Sequence, residues 1–195
     1  MDVGLPFTTP TEASRPSLLR QMTWWILALP AILGVALALH SIYWLDFVHI
    51  MAATLWTGAD LFLGFIIGPV MRRLAAPQRS AVIAYLVPKT LLYMPVVAIT
   101  TGTAGWYLAA WLGFMVPGNP VRPWILGALI ILTLLTLQGL GIILPNNLRI
   151  YRELQRPEPD RERITRLNRR TLVVAGIQGV LQVIIIVIMV HLVMG

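Results

Sequence analysis

YWLDFVHIMAATLWTGADLFLGFIIGPV, residues 43–70, has Asp46, His49 and Asp60 as its only acidic or basic side chains. As a helix this stretch is roughly 42 Å long, more than the roughly 30 Å of a bilayer's hydrocarbon core. An apolar run of that length predicts a transmembrane helix. Four further runs lie around it, at about 22–39, 82–116, 124–144 and 171–193. Trp24 and Trp25 open the first at headgroup depth, and Pro30 predicts a kink in it. The run 82–116 exceeds what a crossing needs, so it tilts or extends beyond the core. The expected fold is all-α: an integral membrane bundle of five transmembrane helices behind a flexible cytoplasmic tail, residues 1–21. Residues 145–170 form a charged connection, with a short helix expected on either side of Pro157-Glu-Pro159.

Composition agrees. Hydrophobic residues make up 57% of the 195 and charged residues 12%, against about 25% charged in soluble domains. The absence of cysteine excludes disulfides, thiolate metal sites and cysteine nucleophiles. The net charge of +7 does not predict nucleic-acid binding, because the arginines cluster between the apolar runs.

Those clusters predict orientation. Arg15 and Arg20, then Arg72, Arg73, Arg79 and Lys89, then eight arginines from Arg149 to Arg170 fall on one side. Only Arg122 falls on the other. The positive-inside rule makes the first side cytoplasmic. The N-terminus is then inside and the C-terminus outside, as in a bacterial inner-membrane protein, with anionic headgroups against the arginine-rich loops. A second reading of the start stays open. Arg15, Arg20, the first apolar run and Ala36-Leu-Ala38 also fit a signal peptide, which would leave four helices after cleavage.

Ionisable groups within spans are costly and mark function by default. Asp60 stands near the middle of the second span. His49, Ala53, Trp56, Asp60 and Gly64 share one helical face, with His49 and Asp60 about 16 Å apart along it. Lys89 either pairs with Asp60 or snorkels to the headgroups. Lys89, Tyr93, Thr100, Thr103 and Tyr107 share a face of the third span. Gln138 on the fourth, with Gln178 and Gln182 on the fifth, completes an expected intramembrane polar network. The Gly64–Gly68 pair and the segment Thr100–Gly105 predict close helix packing.

All three histidines lie towards the outer side. His49 is the one clearly within a span; His40 and His191 are expected at headgroup depth. A neutral imidazole is a common metal ligand. His49 and His191 are the metal-ligand candidates, and Met189, His191 and Met194 are a soft set for copper(I).

The segment Trp44–Gly58, with His49 followed seven residues later by Trp56, resembles the first helix of two related membrane families. These are the copper-resistance protein D family and the HemJ-type protoporphyrinogen oxidases. Lys89–Pro95 followed by Thr101-Gly102 looks like the second family helix, and Arg166-Leu-Asn168 like the start of the last. The resemblance covers residues 44–193 and implies a four-helix unit with one helix added in front. It implies haem b or copper held by His49. The family lysine has no counterpart around Gly127 and Ala128, and Arg169 stands where an acid is expected. These differences argue against an oxidase activity.

Three functional expectations result. The first is an outer-side haem or copper site at His49, acting in redox or metal handling and tuned by Asp60. The second is a small proton- or ion-coupled transporter using Asp60 and Lys89. The third is a non-catalytic subunit, joined to copies of itself or to membrane-complex partners through its glycine surfaces.

Overall fold

In a computed structural model the described residues are 18–194, with side chains through Leu192. The tail over residues 1–17 lies outside them. Every described element is helical. Helix α1 (Leu18–Gln21) leads into a 3-10 turn (Trp24–Leu27) and α2 (Ala28–Ala38). Helix α3 (Ile42–Leu61) continues through a π-turn (Phe62–Ile67) into α4 (Gly68–Arg73). Helix α5 is Ala76–Trp111. Helix α6 (Arg122–Gln138) continues through a second π-turn (Gly139–Ile143) into α7 (Leu144–Leu154), and α8 is Arg161–Met194.

Four helical rods are long and apolar enough to cross a membrane: Ile42–Arg73, Ala76–Trp111, Arg122–Leu154 and Arg161–Leu192. The charged connection is shorter than expected. Residues 144–154 prolong the fourth rod and residues 161–170 open the last one. The N-terminal apolar helix, Trp24–Ala38, is shorter than the other four. It is nevertheless laid along α5. Thr23 Oγ1 donates to the Lys89 carbonyl at 3.3 Å, and at the far end the His40 ring stacks on Trp111, centroids 5.3 Å apart. His40 turns the chain with a left-handed φ of 49°, a conformation in which His is enriched.

Proline explains both π-turns. Pro69 and Pro145 each stand two residues beyond a π-turn. A proline ring has no N–H to donate and clashes with the carbonyl four residues back, at Phe65 and Gly141. Widening the preceding turn relieves that clash. Ile66-Ile-Gly-Pro69 and Ile142-Ile-Leu-Pro145 thus place the same device in two rods, each with an arginine four residues after the proline.

The rods pack α3 on α5 and α8, and α6 and α7 on α8, while α5 and α6 barely touch. Three apolar layers stack along the bundle. Met71, Ile83 and Ile150 lie at the arginine-rich end, Trp56, Met94 and Leu135 in the middle, and Leu45, Val48 and Ala104 at the other end. Much of the apolar surface of each rod stays exposed, and Phe65, Ile130, Leu137 and Val187 face outward. Lipid satisfies such a surface and water does not.

Polar contacts secure the arginine-rich end. Arg79 donates through Nε to the Met71 carbonyl and through Nη2 to the Leu74 carbonyl, each at 2.8 Å, closing the end of α4. Asp160 Oδ1 accepts from the Arg163 N–H at 2.9 Å, capping α8. Buried Glu153 accepts from Arg156 and Arg163 and from the backbone of Asp160.

Candidate functional site

Asp60 stands in the last turn of α3, one residue short of its end at Leu61 before the π-turn, and is fully buried. Gln182 Nε2 of α8 donates to its Oδ2 at 3.0 Å. Oδ1 has no partner within hydrogen-bond geometry; the Trp56 indole is the other polar group beside this carboxyl. Gln182 Oε1 and Thr171 Oγ1 are also buried without partners. Two helices, α3 and α8, thus supply an acid, an amide and a hydroxyl with bonding capacity unused.

Asp60 and Thr171 border a cavity of about 20 Å³, lined also by Thr90, Asn147 and Asn168 among apolar neighbours. This is room for roughly one water, which needs two to four polar partners of the kind found here. Thr90, Met94, Ile143 and Asn147 also line a second, larger cavity of about 240 Å³ between α5 and α6. The two cavities therefore adjoin. The larger is mainly apolar, with Trp56 and Gln178 among its lining residues. Asn147 is 5% exposed and makes no hydrogen bond through its side chain among the described residues.

The expected network is only partly assembled. Asp60 and Gln182 meet. Gln178 instead donates to the Leu135 carbonyl at 2.7 Å, in the last turn of α6 before the second π-turn. Tyr93 Oη donates to the Leu55 carbonyl at 3.1 Å, and Gln138 leaves its Oε1 unpartnered. Lys89 is exposed, and no described cation lies within 4.0 Å of Asp60. Of the two alternatives for Lys89, the pair with Asp60 is not formed: the lysine is exposed, outside the core that holds the acid. Asn146, Asn147 and Asn168 are also buried here, although sequence reasoning does not single them out as site residues. Asn146 and Asn147 follow Pro145, which signals a helix end in sequence but here only widens a turn.

The face carrying His49 and Asp60 is shared between two neighbours. His49 turns to α5, where Nδ1 lies 3.0 Å from the Thr101 carbonyl and the ring lies over Gly105. Asp60 turns to α8. Nδ1 donating to that carbonyl leaves Nε2 as the one nitrogen free for a metal. Neither cavity is lined by His49. His191 stands on α8 against Trp124, ring centroids 4.0 Å apart, and is exposed. Met194 has no described side chain. Among the described residues no three His, Asp or Glu side chains group as a metal site. His49 thus offers one imidazole nitrogen, and His49 and His191 stand on separate contacts.

Comparison with protein families, with curated proteins and with solved structures finds no significant match to this chain.

Proposed function

We propose that the protein is a proton-coupled membrane carrier in which Asp60 is the coupling carboxyl. The carrying observation is the fully buried Asp60, with one oxygen unpartnered, on the wall of a small cavity, and no described cation within 4.0 Å. A carboxylate at this depth is expensive. It is met by a proton or by a positively charged solute, and exchange between the two couples their movements. Two π-turns stand near the site, and such turns are frequent at functional sites.

The topology that serves this reading has five crossing segments. Lys89 and Trp111, which bracket the N-terminal segment on α5, are twenty-two residues apart. That is roughly 33 Å of helix, about a bilayer core. The arginine-rich end is cytoplasmic by the charge bias. A subunit role resting on glycine surfaces has less support, because Gly64 meets Gly176 and Gly105 meets His49 within this one chain.

Infrared difference spectroscopy of the reconstituted protein tests the assignment. A protonated-carboxyl band should appear in acidic buffer, vanish in alkaline buffer and be missing in Asp60→Asn. A band unchanged by that substitution, or none at any pH, removes Asp60 from the mechanism.

A further inference from the structure

We propose that the cavity between α5 and α6 binds a lipophilic monocation drawn from the bilayer, with its apolar body in the cavity and its charge brought to Asp60. The inference rests on the carrier reading above and names its substrate class.

The cavity opens sideways. Its lining residues Ile99 and Leu140 are 63% and 51% exposed on the outer surface of the bundle, and α5 and α6 scarcely touch. A ligand dissolved in lipid reaches it without crossing a polar headgroup layer. Its volume of about 240 Å³ suits an alkyl chain or a single aromatic body, and Trp56, Met94 and Leu135 offer it apolar contact. An acyl tail alone would be content there. The far wall, however, is not apolar. Thr90 and Asn147 join the cavity to the chamber of Asp60, and the Asn147 amide has no protein partner there. Past them lies a carboxyl without a counter-cation. A neutral tail leaves that carboxyl unmet, whereas a monocation supplies the missing charge. One positive charge arrives as one proton leaves Asp60, so the charge of the site is conserved.

Binding of radiolabelled dodecylammonium to the full chain in dodecyl maltoside micelles tests this, since detergent and probe share the same tail and the compact ammonium head matches the one-water chamber beside Asp60. The expected result is saturable binding, release of one proton per cation in weak buffer, and affinity falling in acid. Asp60→Asn should weaken binding on the order of a hundredfold, as when one member of a desolvated charge pair is removed. Gly102→Phe should also abolish binding. A Cβ at Gly102 makes only ordinary contact with Leu132, 3.6 Å away, so the ring extends into the cavity. Thr136→Phe fills it from α6 and should act alike. Binding that survives both fillings overturns the cavity as the site. Equal competition by dodecanol shows a groove for lipid tails and overturns the cation. In either case an Asp60 carboxyl band that still titrates leaves the carrier reading standing. Loss of that band defeats both.

Discussion

Gln182 Nε2 donates to Asp60 Oδ2 at 3.0 Å, tying the middle of α8 to the end of α3. Both groups are buried, and each keeps one oxygen without a partner. Gln182→Leu removes that donor and leaves the buried carboxyl with the Trp56 indole alone beside it. This should cost about 1–3 kcal/mol. Asp60→Asn keeps a side chain of the same shape that still accepts from Gln182, and should cost less than about 1 kcal/mol. Thermal unfolding in detergent ranks the two. A Gln182→Leu variant as stable as Asp60→Asn would show that the bond is not made.

Gly64 and Gly176 meet where α3 gives way to its π-turn against α8, and the contact is asymmetric. A Cβ built on Gly64 falls 2.5 Å from the Gly176 Cα, whereas one on Gly176 falls 3.6 Å from the Gly64 Cα. The first is a clash with backbone, which cannot rotate away. The second is ordinary contact. Gly64→Ala should therefore destabilise the folded protein by about 1–3 kcal/mol, and Gly176→Ala should be near neutral. Equal loss of unfolding temperature in the two variants would contradict this packing.

Sequence periodicity and length showed the four long rods, because an apolar helix in lipid is fixed by thickness more than by partners. They did not show the limits of the connection. Pro145 looks like a terminator, but the helix passes it through a widened turn, which moves Asn146 and Asn147 into the interior. Asp60 was legible as an expensive group. Its partner was not, since Gln178 and Gln182 share a face and only packing decides which reaches an acid and which a carbonyl. The single stripe from His49 to Asp60 was misleading for a similar reason. Two residues on one face meet different helices when neighbours cross at an angle.

His49 and Gly105 form a second exclusive contact. A Cβ at Gly105 would lie 2.7 Å from His49 Cε1. Gly105→Ala should push the imidazole off the Thr101 carbonyl and cost about 1–2 kcal/mol. His49→Ala removes the obstacle, so the double variant should be more stable than the sum of the single losses predicts. A double-mutant cycle on chemical unfolding reads the coupling. Simple additivity would mean that ring and glycine are not in contact.

Glu153 is the one acid among arginines at the end of α7. Its oxygens lie 3.1 Å from Arg156 and 3.2 Å from Arg163, and its side chain is 3% exposed while theirs are 60% and 47% exposed. The arginines are hydrated without it, so removing Glu153 strands no buried cation. What is lost is the tie between α7 and α8 across residues 155–160, including the acceptor for the Asp160 N–H at 3.3 Å. Glu153→Ala should cost about 1–3 kcal/mol through these charge-assisted bonds. Glu153→Gln should cost less, since one oxygen still accepts. Because the arginines are exposed, salt should narrow the gap between wild type and Glu153→Ala. Limited proteolysis reads the local effect: cleavage within residues 155–160 should quicken in Glu153→Ala while the membrane-embedded rods stay protected. Unchanged cleavage would show that Asp160 capping of α8 alone holds the connection.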